Sequence, residues 1–311
     1  MKIVITGGTG FLGRPLATSL AADSHTVVIL SRQASSAPEA QVRLVTWLPN
    51  GETGGWSSEV DGADVVVNLA GEPIAQSRWT TAHKARILES RLNATRSLVA
   101  AIGQAATPPR VLVSGSAVGY YGPSGDTVLD EDAPGGGDFL AEVCARWEAE
   151  ASRASASRTR VVTIRTGLVL ERNGGALSRM VLPFRIGAGG RVGSGRQYWP
   201  WLHRDDWIAL VRWAIETPTV AGAVNATAPY PVTNAEFARA LGQALHRPAL
   251  LPAPAFALRL LLGEMADALL LSGQRAIPAK AERSGFVFRY PRLDGALRAI
   301  FNAPPEREQG P

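Results

Sequence analysis

The chain of 311 residues has a single cysteine, Cys144, which excludes an intramolecular disulfide and any cysteine-built zinc site and leaves the redox compartment open. In an apolar helix pattern such a residue reads as small buried packing rather than a catalytic thiol. Long apolar runs are missing as well. The richest stretch, "PAPAFALRLLLGEMADALLL", is interrupted by Arg259, Glu264 and Asp267, short of the 18 or more apolar residues of a membrane span. The amino terminus enters a strand with no basic-then-apolar leader. These absences predict a cytoplasmic protein that engages no membrane.

Lysine is scarce too. Among 32 basic residues only Lys2, Lys84 and Lys280 are lysines, so arginine carries the net charge of +5. The arginines are scattered, with no basic run and no interleaved aromatics, which argues against nucleic acid and for an anionic small-molecule partner. There is no internal repeat, and the tail "APPEREQGP" reads as disordered.

What is present is a regular alternation. The runs "KIVIT", "TVVIL", "VRLVTW", "DVVVNLAG", "RVLVSGS" and "RVVTIRT" are separated by longer helical patterns, among them one from Phe11, one from about Thr80 to Gln104 and one over "DFLAEVCARWEAEA" (138–151). Short β-branched runs alternating with amphipathic helices predict an α/β fold: a doubly wound parallel sheet covered on both faces. Residues 1–165 form this unit, with 200–228 returning to it, and 166–311 form a smaller, mostly helical lobe with a short strand at "FVFRY" (286–290).

The first turn reads "ITGGTGFLGRPL". Gly7, Gly10 and Gly13, with Phe11 and Leu12 between them, follow a strand and open a helix, the arrangement that turns backbone N–H groups and a helix N-terminus toward a pyrophosphate. A second strand that ended in a carboxylate would hold a free ribose 2′-hydroxyl. This chain ends that strand with Ser31 and Arg32, a hydroxyl and a guanidinium suited to a 2′-phosphate, so NADP(H) is preferred over NAD(H). Arg14 offers a second cation.

"TGGTGFLG", "VVNLAGEPI" (66–74), "LVSGSAVGYYG" (112–122) and "WLHRDDW" (201–207) together resemble the extended short-chain dehydrogenase/reductases. "WTTAHKARILESRLNATRSLV", "FLAEVCARWE" and "LGEMADALLLSGQRAIPAK" are similar to the atypical "epimerase family" subgroup, including its helical carboxy-terminal region. The resemblance implies a Rossmann domain, a nicotinamide cofactor contacted by Leu69, Ala70 and Gly71 as well as by the glycine loop, and a substrate lobe. It also implies a Ser or Thr beside a Tyr-x-x-x-Lys pair, in which the lysine lowers the tyrosine pKa.

That pair is absent. Four residues before Lys84 and Lys280 stand Thr80 and Ala276, and Lys2 is too early. If Glu148 matches the glutamate that follows the family's pair, Leu140 and Cys144 occupy the tyrosine and lysine positions. Ser116 matches the family's hydroxyl, with a strand-capping serine as its ordinary alternative. Tyr120 and Tyr121, just past the fifth strand, are candidate acids, and with no neighbouring lysine their phenols suit donation in a reduction. Glu142 and His203 are further candidates, and Lys84 substitutes for the lost lysine only if its helix faces the cleft.

For the substrate, "GAGGRVGSGRQYWPWLH" offers Arg191, Arg196, Gln197, Trp199 and Trp201, resembling the segment that grips nucleotide-sugar diphosphates. The resulting expectation is an NADP(H)-dependent oxidoreductase or epimerase-like enzyme acting on a small carbonyl or nucleotide-sugar substrate, without a metal. The family allows a homodimer. The alternative is a non-catalytic NADP(H)-binding regulatory protein, related to cell division in some members of the subgroup.

Overall fold

The computed structural model describes residues 1–33 and 41–302; the tail expected to be disordered lies outside them. Seven parallel strands build the main sheet: β1 (Lys2–Thr6), β2 (Thr26–Ser31), β3 (Val42–Thr46), β4 (Val65–Asn68), β5 (Val111–Ala117), β6 (Arg160–Thr166) and β7 (Gly222–Ala226). Their spatial order is β3-β2-β1-β4-β5-β6-β7, so the winding reverses between β1 and β4. That reversal opens a crevice at the carboxyl edge of the sheet.

Alternation within each strand sends neighbouring residues to opposite layers. Ile3, Ile5, Val27, Ile29, Val65, Val67, Val162 and Ile164 face α1 (Gly13–Ala22) and a helix over Arg204–Glu216, packing on Leu16, Leu20, Leu210 and Val211. Val4, Val28, Leu30, Val66, Leu112 and Val161 face α2 (Thr81–Gln104) and α3 (Phe139–Ser152), packing on Ala94, Leu98, Ile102 and Ala151. The central strands β1, β2, β4, β5 and β6 are therefore apolar on both sides, which is why their runs read as continuous rather than alternating. α2 starts where the Thr80 hydroxyl accepts the His83 amide, and α3 where the Asp138 carboxylate accepts the Ala141 amide.

The remaining chain forms small two-stranded pairs, such as Leu168–Leu170 with Trp201–His203, and short helices including Ala255–Leu262 and Leu293–Asn302. Among the described residues no helix is long and apolar enough to cross a membrane. The strand expected at 286–290 is not formed. The Asp206 carboxylate takes the amides of Arg289 and Tyr290, at 2.8 and 2.9 Å, that a ladder would need, and Phe286 and Phe288 pack edge to face.

Among the described residues the outer strand β7 pairs only with β6. On its open side the buried Glu131 carboxylate accepts the amides of Asn225 and Lys280, the Asn225 side chain donates to Ile277 O, and Lys280 Nζ donates to Ala221 O.

Candidate functional site

The crevice begins at the loop between β1 and α1. Gly7 has φ +67°, and a Cβ there would lie 2.7 Å from the Leu69 carbonyl, so the loop rests directly on the end of β4. A Cβ at Gly13 would lie 2.2 Å from Gly7 O, and the Gly10 amide donates to the same oxygen at 3.0 Å. The turn therefore closes only without side chains at these positions, bringing the first amides of α1 to the crevice beside Leu69, Ala70 and the exposed Gly71. Phe11 lies over Gly174 and Gly175, where a Cβ would approach its ring to 2.5 and 2.9 Å, linking the loop to the helix Gly175–Arg185. Ser31 ends β2 half-buried. Arg32 is exposed and pairs with none of the described residues.

Beyond β4 lies the end of β5, and α3 turns Leu140, Cys144 and Glu148, spaced by one turn each, toward it. The Leu140 Cβ is 3.3 Å from the space above Gly119, and Cys144 is buried against Ser116 and Ala117. Burial pushes the Cys144 thiol up to about 11. Ser116 Oγ donates to Glu148 Oε1 at 2.6 Å. Glu148 in turn receives Arg165 Nε and Nη2 on its two oxygens, both at 2.9 Å, with the Arg165 side chain 5% exposed and that of Glu148 14%. Burial pulls the guanidinium's pKa down, but the Glu148 hydrogen bonds and charge outweigh it and the net shift is upward. The Ser116 hydroxyl is thus held in one orientation by a buried ion pair.

The two tyrosines differ. Tyr121 is buried, its hydroxyl 2.7 Å from Asn225 Oδ1 and 2.9 Å from Asp130 O, and it receives Arg165 Nη1 at 3.0 Å. Burial pushes its phenol up to about 12, partly offset by Arg165. Tyr120 is half-buried, with the Arg165 guanidinium 3.5 Å from its ring centroid.

Other candidates lie elsewhere. Glu142 points from the exposed face of α3 to Arg146 at 3.2 Å. Lys84 pairs with Glu264 at 2.8 Å and sits 4.5 Å over the Phe139 ring. His203 is 5% exposed, accepts the Asp205 amide through Nδ1 and stacks on Tyr290 at 4.1 Å; burial holds its pKa below the ordinary imidazole value. Arg191 donates to the carbonyls of Gly193 and Ser194, Arg196 is exposed, and Gln197 bridges Val192 O and Leu270 O. Trp199 and Trp201 are core residues, Trp199 packing edge to face on Phe237.

Sequence reasoning missed Arg165. The signal was an arginine inside a strand that is apolar on both faces, which demands a buried partner. It used Glu148 only as a register mark, and it missed Asn225 and Glu131, which nothing local distinguishes.

A family model described as NAD dependent epimerase/dehydratase family matches residues 3–226, and one for a domain of unknown function (DUF1731) matches 253–300. The chain is 43% identical over 303 residues to the chloroplastic epimerase family protein SDR39U1 homolog of Arabidopsis thaliana, covering 96% of this chain and 86% of that one. The crystal structure of human epimerase family protein SDR39U1 with NADPH superposes with a TM-score of 0.89 at 37% identity, covering 97% of this chain and 100% of that one. A nucleoside-diphosphate sugar epimerase from Corynebacterium glutamicum gives 0.77 at 33% identity, covering 97% of this chain and 58% of that one.

Proposed function

Because the chain belongs to the NAD-dependent epimerase/dehydratase family, we propose that it is an NADP(H)-dependent oxidoreductase or epimerase-like enzyme acting on a small, anionic carbonyl or nucleotide-sugar substrate. One observation carries the reading: a serine hydroxyl at the end of β5, fixed by a buried Glu148–Arg165 pair, on the same sheet edge as a loop shaped for a pyrophosphate. The NADPH in the human relative's structure and the exposed Arg32, which pairs with none of the described residues, support the preference for a 2′-phosphate. Residues 1–165 with 200–228 hold the cofactor in this reading.

A bound nicotinamide supplies or accepts the hydride. Ser116, its proton directed to Glu148, orients the substrate by accepting a hydrogen bond from a substrate hydroxyl, and the Tyr120 phenol gives the carbonyl oxygen its proton during reduction. Tyr121, its hydroxyl already engaged three ways and its pKa near 12, holds Arg165 in place, while Glu142 and His203 serve the fold. Arg191, Arg196 and Gln197 border the substrate lobe. The protein works in the cytoplasm, as a homodimer.

A second reading, a non-catalytic NADP(H)-binding regulator, is favoured by Leu140 and by Cys144, whose thiol at about 11 is inert at neutral pH. Melting shifts separate the two. NADPH stabilising more than NADH, with a further shift from one nucleotide sugar and carbonyl-dependent NADPH oxidation lost in Ser116→Ala, supports the enzyme. Tight NADPH binding without turnover across a carbonyl and nucleotide-sugar panel supports the regulator, and no response to NADPH overturns both.

A further inference from the structure

Arg91 projects from α2 into the same crevice. A Cβ on Gly71 would lie 3.1 Å from Arg91 Cζ, so the guanidinium lies directly beneath the exposed backbone that follows β4. Its Nη1 donates to Glu72 O at 3.0 Å and Ile87 O at 2.9 Å, and its Cζ is 5.2 Å from the Trp147 ring centroid. That ring is itself wedged against Gly115, where a Cβ would meet it at 2.9 Å. A buried ladder sets the helix register here: Thr6 donates to Asn68, Asn68 to Thr95, and Thr95 to the carbonyl of Arg91, at 2.7, 2.9 and 2.7 Å.

No described carboxylate comes within ion-pairing distance, and Nε and Nη2 have no partner among the described residues. Burial lowers the guanidinium's pKa. A half-buried cation without a counterion carries a desolvation cost, which Arg165, the buried arginine of β6, offsets by meeting Glu148. Arg91 lies within electrostatic reach of Cys144 on α3 and, more weakly, of the Glu72 carboxylate. On the register in which Glu148 matches the family's glutamate, Cys144 stands at the position of the family's lysine.

We infer that Arg91, reaching across from α2, supplies the positive charge that position 144 has lost, and that its free donors take oxygen atoms on the nicotinamide half of the bound dinucleotide. A dinucleotide held by its pyrophosphate at the start of α1 crosses the end of β4 to reach β5, and Gly71 lies on that path. The absence of a side chain at Gly71 leaves the guanidinium open to the ligand. Because a guanidinium keeps its proton at all working pH values, this charge holds the ligand without relaying protons, which agrees with assigning proton delivery to a tyrosine on another element.

The inference rests on the NADP(H) reading, and equilibrium titration of NADPH fluorescence tests the two separately. If the wild-type protein does not bind NADPH, that reading fails. If it binds, Arg91→Met weakens binding about tenfold or more through loss of a charge-assisted contact, while its melting temperature without cofactor stays close to that of the wild type, because relief of a desolvated charge offsets the loss of its two carbonyl hydrogen bonds. Adding Cys144→Lys to Arg91→Met restores at least half of the lost affinity on a logarithmic scale, since the charge returns from the other helix. Wild-type affinity in Arg91→Met overturns the inference, and so does a loss of affinity that Cys144→Lys leaves unrepaired in a double variant that melts as the wild type does.

Discussion

Arg165→Met is the sharpest probe of what holds the site together. The substitution keeps most of the side-chain volume and removes a cation that makes two 2.9 Å bonds to Glu148 and one of 3.0 Å to Tyr121. Glu148, 14% exposed at its side chain, is left as a charge without its counterion. Breaking a buried pair from one side costs about 3–5 kcal/mol, whereas removing both charges together is close to neutral. Arg43 and Glu59 provide an internal control, with the same two-pronged geometry at 2.9 and 2.6 Å but an arginine 57% exposed, for which about 0–1 kcal/mol is expected. Urea unfolding followed by circular dichroism gives all four values: Arg165→Met, Arg165→Met with Glu148→Met, Arg43→Met and wild type. The single core variant loses about 3–5 kcal/mol and the double variant recovers most of it. A single variant as mild as Arg43→Met, or a double variant worse than the single one, would refute the argument that uncompensated charge dominates at this position.

Three further outcomes follow from the same structure. Cys144 keeps its proton to about pH 11 when folded but gives it up near 8.5 when unfolded, so stability present below that pH is lost as pH rises toward 11, by about 3 kcal/mol; Cys144→Ala flattens that part of the urea-midpoint profile, and equal slopes in both proteins sink the assignment. His203 is depressed in the folded state, so its contribution is present above pH about 6.5 and disappears as pH falls below it; His203→Asn, which keeps a helix cap, loses less midpoint between pH 7.5 and 5.5 than wild type, and the reverse ranking counts against burial as the cause. Gly13→Ala places a methyl 2.2 Å from Gly7 O, so NADPH affinity falls by about a hundredfold in a protein that still folds, and an affinity within twofold of wild type contradicts the close-turn account.

The central strands of the main sheet were legible because they are apolar on both faces, and "TVVIL" or "DVVVN" can be little else. The glycine loop was legible because Gly7 and Gly13 tolerate no side chain, Gly10 is packed tightly between them, and their spacing records it. "FVFRY" has the alternation of a strand and is not one, since Asp206, more than 80 residues away in sequence, claims the amides a neighbouring strand would have used. Ser116 was readable from its motif, but its orientation was not, because Glu148 and Arg165 lie 32 and 49 residues further along and meet it only after β6 docks beside β5. Arg91 was invisible for a simpler reason: in "ESRLNATRS" it has the spacing of a solvated helix face, and only the approach of Gly71 and Trp147 makes it an interior residue.

The outer strand β7 bears on behaviour at high concentration. A strand bonded on one side only is a template on which another copy can add by backbone pairing, and proteins with such rims tend to form fibrils or clumps when crowded. Here Glu131 takes the Asn225 amide of the rim, Lys280 Nζ takes the Ala221 carbonyl just before the strand, and the Asn225 side chain ties the carbonyl of Ile277 beside it. One carboxylate, bonded at once to the strand and to the amide of Lys280, thus occupies an edge group that an incoming strand would need.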